Sequence, residues 1–400
     1  MPPNSTPPKV LALDAHPDTF TAAALTGTTP ASAIVEKIWH KVPVAQLAVW
    51  AQKHTAPHDV FVLEASGNSF QIVRLLAAVS RQAHVLESCH LGKLKEAHAN
   101  NDQISAVRIG KAWLAGTAKP VWVPDPQTQE RRDWFHAHRK TVKRTTQVRN
   151  RILSYLSDNG VRLKPGTPLA TDQQVATHLR SARDWSPRQW QVLAGLLLEL
   201  RHANEQRAHW RSLIAQEVLQ DPQLLALVRL CGIREIVAFA LGALIGDIRR
   251  FANPRKLVSY IGLTPAFDHS GRNDWNGGLS GRGRGDLRSL LLESAQALLR
   301  SAHPLAKWGK RLLARKSAPN LVATAVARKL TVAVWYLLSD RWSPCAEPDD
   351  QLSRKLGKII TSVGTNGLKE LGKNRKALKA EVIHRLKAKV YLLRPGTTFA

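Results

Sequence analysis

Three acidic residues stand where a fold could gather them for chemistry. Asp14 lies near the end of the apolar run VLALDA, Glu64 ends the run DVFVLE, and Asp102 lies in NNDQISA just before a helical pattern. Clustered carboxylates hold hard cations such as Mg²⁺, and two such ions can clamp the attacking and leaving oxygens of a phosphodiester. An acid at the end of a strand is also a common turn or capping residue, so spacing alone leaves both interpretations open.

A candidate nucleophile lies in a segment rich in glycine and arginine, residues 264–286. Ser270 is followed there by Gly271, and Ser280 in LSGRGRG is its nearest rival. A free serine is a poor nucleophile, and it needs a base or a positive field that stabilises its alkoxide and the pentavalent phosphate. Four neighbouring arginines could supply that charge and bidentate phosphate contacts: Arg272, Arg282, Arg284 and Arg288. A plain turn is the alternative interpretation of the Ser-Gly pair.

Strands alternating with helices are predicted over the first third of the chain. Short apolar runs predict strands at residues 9–15, 19–25, 59–64 and 83–87, and helical spacing predicts helices at 44–54, 68–81 and 104–114. This alternation indicates an α/β domain over residues 9–118, whose sheet could bring the three acids to one edge.

Helices are predicted for most of the remaining chain. Residues 127–218 read as a basic, coiled-coil-like arm built from helices at 130–156 and 187–218, and residues 219–345 as a mostly helical domain that contains the glycine- and arginine-rich segment as a loop. Residues 346–400 form a basic extension with a helix predicted at 377–392. Six basic side chains are candidate phosphate contacts: Arg139, Lys140, Lys143 and Arg144 on the helix at 130–156, and Arg328 and Lys329 on a further helix predicted at 320–338.

The charge balance predicts a polyanionic partner. The 400 residues include 58 Lys and Arg but only 30 Asp and Glu, which gives a formal net charge of +28. The longest apolar run, residues 236–246, is short of the roughly 20 residues that a membrane span needs, and the N-terminus shows no secretory signal pattern. Three scattered cysteines, Cys89, Cys231 and Cys345, predict neither a disulfide framework nor a zinc site. We therefore expect a cytoplasmic protein that binds nucleic acid and has no membrane partner.

Three N-terminal segments, LDAHPDTFTAAAL, LEASGNSF and NNDQISA, resemble in order and spacing the signatures of the DEDD-type, serine-dependent insertion-sequence transposases. The resemblance implies an RNase H (RuvC-like) fold for the N-terminal domain. It also implies that Asp14, Glu64 and Asp102 are the first three ligands of Mg²⁺ or Mn²⁺. The family has an aspartate three residues after the third acid, where this chain has Ser105. Because a hydroxyl is a weaker ligand than a carboxylate, either one ion suffices, or water or another acid fills the gap, or metal dependence has been lost.

A second resemblance covers the C-terminal half. The segment from Cys231 to the end of DLRSLLLESA is similar to the family's transposase domain, with a helix-hairpin-helix-like turn at Cys231-Gly232-Ile233 and the GLTP motif before the serine. The usual Pro-Gly-Ile-Gly of that turn is altered here to Cys-Gly-Ile-Arg, which weakens its interpretation as a DNA-backbone contact. The resemblance implies that Ser270 is the nucleophile.

Together the resemblances imply an RNA-guided DNA recombinase of a bacterial insertion sequence. Its partners would be target and donor DNA and a structured bridge RNA, and specificity would come from base pairing. The serine of one subunit and the metal site of another would combine in a dimer that pairs into a tetramer, and the protein would be nucleoid-associated. Two alternatives stay open: a metal-dependent junction resolvase or nuclease without a covalent intermediate, and a decayed protein that only binds RNA and DNA.

Overall fold

The computed structural model describes residues 8–88, 91, 101–163, 169, 179–270, 273–341 and 345–387. The chain divides into two compact units, residues 1–125 and 126–400. The first unit is a sheet with helices, and the second is almost entirely helical within the described residues. The protein is therefore mixed α/β with a large helical portion, as predicted.

Six strands form the sheet of the first unit: β1 (Val10–Ala15), β2 (Thr19–Thr26), β3 (Ile34–Pro43), β4 (Val60–Glu64), β5 (Gln82–Leu86) and β6 (Pro120–Val121). Their order is β3-β2-β1-β4-β5-β6. β1 pairs antiparallel with β2 and parallel with β4, and β5 pairs parallel with β4 and antiparallel with β6. Such a mixed sheet is compatible with the expected RuvC-like domain.

Helices cover both faces of this sheet: α1 (Leu47–His54), α2 (Ser69–Ala78) and α3 (Asp102–Leu114). Successive strand residues point to opposite faces. Leu11 and Leu13 of β1 accordingly pack in one apolar cluster with α1 and α2, whereas Val10 and Ala12 pack in another with α3. β1 is therefore buried on both sides, which explains why it reads as an unbroken apolar run.

Strand β3 was missing from the sequence prediction. Most of its residues are exposed, and it pairs only with β2 in the described sheet, with two shifts of register. An edge strand that buries little apolar surface carries no clear alternation of polar and apolar residues. An ion pair joins Glu36 of this strand to Lys9, the residue before β1.

Two long helices open the second unit, α4 (Pro126–Asp158) and α5 (Pro187–Gln220), and both match predicted helices. They pack against each other through Val148, Ile152 and Leu156 on α4 and Leu193, Leu196 and Leu200 on α5. At the other end of the pair, Arg131 bridges Glu217 at 2.7 Å and Asp221 at 2.6 Å. A partly buried arginine with two carboxylate partners fixes the register of the two helices.

A single large core follows, built by α6 (Pro222–Val228), α7 (Glu235–Ile245), α8 (Pro254–Ile261), α9 (Gly285–Leu299), α10 (Pro304–Lys316) and α11 (Pro319–Leu338). α11 is the one described helix long and apolar enough to cross a membrane by length and composition. It packs against α8, α9 and α10, and its side chains from Val322 to Leu338 are largely buried. The apolar side chains that make α11 hydrophobic enough for a membrane span therefore fill the core of this unit.

The C-terminal extension belongs to the same core. It forms α12 (Asp349–Glu370) and α13 (Arg375–Lys387), of which α12 was not predicted. Leu352, Leu356, Ile359 and Val363 of α12 are buried in the main apolar cluster. The helical spacing of these residues lies within a run of lysines and arginines, a pattern that indicates either a solvated face or a polyanion-binding tail.

The buried His138 of α4 should make the fold acid-sensitive. Burial, followed by the charges of Arg211 and Arg207, lowers the pKa of His138 to about 4, while Glu235 opposes this shift. Because the folded protein binds the proton less readily than the unfolded chain, stability should fall as the pH drops from about 6.5 to about 4. The loss should reach about 3 kcal/mol over that window. Urea unfolding of wild type and His138→Gln at pH 7.5 and pH 5 measures it, and an equal loss in both proteins would contradict the assignment.

Candidate functional site

The first two predicted acids lie side by side at one end of the sheet. β1 and β4 are parallel, with Leu13 opposite Leu63, so Asp14 and Glu64 occupy the next position on adjacent strands. By the alternation of strand residues both belong to the face on which Val10, Ala12 and Val62 pack with α3. Both side chains are half-buried. The sheet thus aims two carboxylates at the start of α3.

Helix α3 brings the third acid to the same place. Asn101 caps its N-terminus by accepting a hydrogen bond from the backbone N–H of Ile104, and Asp102 is its first residue. The helix lies close to the sheet at Gly110, where a Cβ atom would come within 2.6 Å of Leu25 and 3.2 Å of Ala12. A glycine there allows the close approach that sets the position of Asp102.

The structure brings together Asp14, Asp102 and a residue that the sequence prediction missed, His16. One ligand atom from each of the three lies within 4.8 Å of the other two. The His16 Nε2 atom lies 3.4 Å from Asp102 Oδ1. The turn that carries His16 is held by Asn68, whose side-chain amide donates to the His16 backbone carbonyl at 2.7 Å. The HPD turn after β1 was the available signal, because it places an imidazole two residues beyond an acid.

Glu64 stays beside this group without joining it within that distance. Burial raises the pKa of the Asp14 carboxyl, and the negative charges of Asp102 and Glu64 raise it further, while His16 and Arg108 oppose the shift. Mutual repulsion of carboxylates is relieved when a cation binds between them. The site therefore has the electrostatic character of a place for a cation.

Ser105 occupies the position where the related motif would carry a fourth acid. Its side chain is buried, at 5% exposure, on the face of α3 that packs toward the sheet. Arg108, one turn later, donates a hydrogen bond to Ser105 Oγ at 3.3 Å. Arg108 is also close enough to lower the pKa of Asp14. At this corner of the site a guanidinium group accompanies the hydroxyl.

The glycine- and arginine-rich segment predicted as a loop contains a β-hairpin instead. β7 (Pro265–Ser270) pairs antiparallel with β8 (Asn273–Leu279) as a two-stranded sheet. Ser270 is the last residue of β7 and stands opposite Asn273. Gly271 and Arg272 lie between them, outside the described residues. Neither PAFDHS nor NDWNGGL alternates polar with apolar residues, and the glycines of the second segment are typical of turns, so the sequence predicted a loop.

Ser280 lies at the opposite end of this hairpin. Its backbone N–H donates to the Thr264 carbonyl at 3.0 Å and closes the base of the hairpin. The base is fixed to the helical core because the backbone N–H of Arg284 donates to the Tyr260 carbonyl and the Tyr260 hydroxyl donates to the Leu244 carbonyl. The hairpin therefore presents Ser270 at its tip and holds Ser280 at its anchored end.

Two of the predicted phosphate contacts near the serine also hold the loop together. Arg284 forms paired hydrogen bonds with Asp286 at 2.7 and 3.1 Å. Burial alone would raise the pKa of the Asp286 carboxyl, but Arg284 lowers it. Arg288 donates to the backbone carbonyls of Arg282 at 2.9 Å and Gly262 at 3.4 Å. The side chain of Arg282 is exposed and faces solvent.

The basic residues predicted on α4 form an exposed surface. Arg139, Lys140, Lys143 and Arg144 are all exposed. Arg144 pairs with Glu199 of α5, and Arg139 stacks on Phe135 at 5.9 Å from its ring centroid. Arg139 lies near the serine hairpin's anchor, since its charge lowers the pKa of Asp286.

The remaining two predicted contacts lie on α11 and differ in their surroundings. Arg328 is exposed. The Lys329 ammonium lies 4.6 Å from the centroid of the Trp308 ring. A cation over an indole face is held in place, so Arg328 is the freer side chain to reach a phosphate.

Comparison with known proteins shows which proteins this chain resembles. Residues 225–308, which include the serine hairpin, match the model of the transposase IS116/IS110/IS902 family. This match and those that follow support a transposase function. The chain is 24% identical over 282 residues to the transposase for insertion sequence element IS1111A of Coxiella burnetii, which covers 70% of this chain and 77% of that protein. It is 23% identical over 289 residues to the transposase for insertion sequence element IS1328 of Yersinia enterocolitica, which covers 70% and 84%.

A match of higher identity over a shorter length exists with the probable family 20 transposase of Pseudomonas aeruginosa. The identity is 33% over 153 residues, or 37% of this chain and 45% of that protein. Because the longer matches cover most of both chains, the likeness to insertion-sequence transposases is not limited to the serine hairpin. The resemblance inferred from motifs is thus supported at the level of a transposase family.

The anchor of the hairpin depends on one glycine, which gives a prediction. Gly262 has a φ of +81°, and a Cβ atom there would lie 1.9 Å from the Arg282 carbonyl oxygen. Gly262→Ala should lose about 2 to 4 kcal/mol of unfolding free energy, because both the backbone and the loop must shift. Gly281→Ala is the matched control, since Gly281 has a φ of +69° but open space around it. It should lose only about 1 to 2 kcal/mol. Urea unfolding compares the two, and equal losses would contradict the close contact.

Proposed function

We propose that this protein is the transposase of a bacterial insertion sequence and that it cuts and exchanges DNA strands through Ser270. The observation that supports this most directly is the position of Ser270 at the tip of the hairpin within the segment that matches the transposase family. The rival Ser280 lies at the anchored base of the hairpin, where its backbone N–H donates to the Thr264 carbonyl.

The proposed chemical step is a transesterification. The Ser270 oxygen attacks a backbone phosphorus, a bond forms between serine and phosphate, and the bond from phosphorus to the 3′ oxygen breaks. The proton of the serine hydroxyl ends on the released 3′-hydroxyl. A cationic environment stabilises the charge of the pentavalent transition state. Arg272, two residues after Ser270 in the sequence, is the candidate for that role from the same hairpin, because Arg282 and Arg139 lie toward its anchored end.

We infer that Asp14, His16 and Asp102 hold one divalent ion, with Glu64 adding negative charge beside them. Two carboxylates and an imidazole within 4.8 Å of one another are a donor set that fits Mn²⁺ and can accept Mg²⁺. Such an ion would supply Lewis-acid stabilisation of phosphate oxygens. Ser105 is then not a ligand of a second ion, because the guanidinium group of Arg108, which donates to the Ser105 hydroxyl, would repel a cation there. Arg108 would itself place a positive charge where a second ion would otherwise sit.

The proposed partners follow from charge and from the resemblance. The net charge of +28 and the exposed basic face of α4 support binding of DNA and of a structured bridge RNA. If base pairing of that RNA selects target and donor DNA, the protein needs to bind backbones and not to read bases. Assembly as a dimer that pairs into a tetramer would join the serine of one subunit with the acidic site of another, in the bacterial cytoplasm at the nucleoid.

Ser270 can be tested against its rival. Ser270→Ala should abolish DNA cleavage and strand exchange while nucleic-acid binding is retained, because only the attacking oxygen is lost. Ser280→Ala is the matched control and should retain activity. Recombination of a plasmid carrying donor and target sites, in cells that also express the element's non-coding RNA, measures activity. Wild-type protein mixed with DNA and then denatured should carry a covalently linked strand.

The outcomes separate the candidate functions. Activity in Ser270→Ala would refute the serine assignment. DNA cleavage by wild type without any covalently linked DNA would favour a junction resolvase or nuclease that uses water. Tight binding of DNA and RNA with no strand exchange in any metal would identify a protein that only binds nucleic acid.

The metal site can be tested without activity. Mn²⁺ titration followed by electron paramagnetic resonance should give one bound ion per chain in the wild type. Asp14→Asn and His16→Ala should each weaken Mn²⁺ binding at least about tenfold, because each removes one of three ligands. Asp18→Asn, which changes an exposed acid of the same turn, is the matched control and should bind normally. Two ions per chain would refute the role given to Arg108, and equal binding by all variants would refute the site.

A further inference from the structure

A cavity of about 370 Å³ lies in the second unit, away from the serine hairpin in sequence. Its walls come from the altered turn after α6, the end of α9 and one face of α12, a helix to which no role has been assigned. Gly232, Arg234, Ser301, Glu347, Arg354 and Lys358 are among its lining residues. The C-terminal extension therefore completes a concave surface that the family-matched segment starts.

The face of α12 that lines the cavity is polar and mainly basic. Gln351, Arg354, Lys355 and Lys358 follow the spacing of one helix face, and all four line the cavity. The opposite side of α12 carries the apolar residues that enter the core, including Leu352, Leu356 and Ile359. Packing of the helix thus forces this basic face toward the turn.

One of these cations is structural. Lys355 is buried at 8% exposure and donates to the backbone carbonyls of Val228 and Leu230, each at 2.9 Å. It also pairs with Glu347 at 3.2 Å. Glu347, the one acidic residue among those that line the cavity, therefore has its charge compensated by Lys355. The lysine also fixes α12 against the chain just before the turn.

The other three basic residues that line the cavity lie at its rim, and much of their positive charge is available to a ligand. Arg234, Arg354 and Lys358 are exposed. Within the described residues Arg354 forms an ion pair with the exposed Asp350 at 3.7 Å. Such a surface pair offsets little of the arginine's positive charge. Arg234 shares the single charge of the buried Glu235 with Arg211. Three cations around one small opening, with the inner acid compensated, form a receptor for an anion.

We propose that this cavity binds a backbone phosphate of nucleic acid and that α12 supplies two of its contacts, Arg354 and Lys358. The replacement of the usual glycine by Arg234 then adds a charged contact at this turn. The ligand class rests on the proposed function, since a transposase must hold nucleic-acid backbones. DNA and RNA offer the same phosphodiester, and the experiment separates the two sources.

Fluorescence anisotropy of the full-length protein tests the proposal with two probes, a 30-base-pair duplex DNA and a hairpin RNA, across a series of KCl concentrations. Arg354→Gln with Lys358→Gln should weaken binding of at least one probe several-fold at 0.15 M KCl. It should also lower the salt slope by about one to two, because each lost phosphate contact removes about 0.7 to 0.9 from it. Gln351→Glu should weaken the same probe by placing a negative charge in the cavity. The matched control is Arg375→Gln with Lys376→Gln, which removes one arginine and one lysine from the exposed surface of α13.

A loss confined to one probe identifies the nucleic acid that occupies the cavity. Unchanged salt slopes with both probes, or an equal loss in the control, would overturn the proposal while leaving the proposed function intact. Failure of the wild-type protein to bind either probe would overturn both. Thermal unfolding of each variant verifies that the double substitution has left the fold unchanged, as expected for exposed side chains.

Discussion

The parallel pairing of β1 with β4 is the constraint on which the acidic site depends. It places Asp14 and Glu64 on adjacent strands at the same level and on the same face. The third acid arrives only because α3 lies close to that face, which Gly110 permits. Burial raises the pKa of the Asp14 carboxyl, and the like charges gathered in this way raise it further. The sheet therefore holds an arrangement that is unfavourable by itself and becomes favourable with a cation.

Much of the first unit could be predicted from sequence because its central strands are buried on both faces and its helices have regular apolar spacing. The strands carrying Asp14 and Glu64 were predicted within one residue of their observed bounds. His16 was missed because its role depends on a turn that is held in part by a long-range contact, the Asn68 amide that donates to the His16 carbonyl. The edge strand β3 was missed because exposed residues leave no pattern to read.

The second unit shows where local patterns stop being informative. The serine hairpin pairs only with itself among the described strands, and its two strands lack the alternation of polar and apolar residues that predicts a strand. Arg284 and Arg288 looked like phosphate contacts by composition, yet they bind Asp286 and backbone carbonyls. Charge in a sequence does not tell a structural arginine from a ligand-binding one, because that distinction depends on which neighbours are left without other partners.

The contacts of α12 and α13 carry a consequence for how this protein can change. Arg229 bonds the Leu386 carbonyl, Arg385 bonds the ends of α5 at Leu219 and Gln220, and Lys355 seals the chain before the turn. Helices bonded this closely to the ends of α5 and α6 cannot be exchanged as an independent module. Shuffling of C-terminal segments between elements would have to preserve these backbone acceptors, so the tail and the body must evolve as one piece.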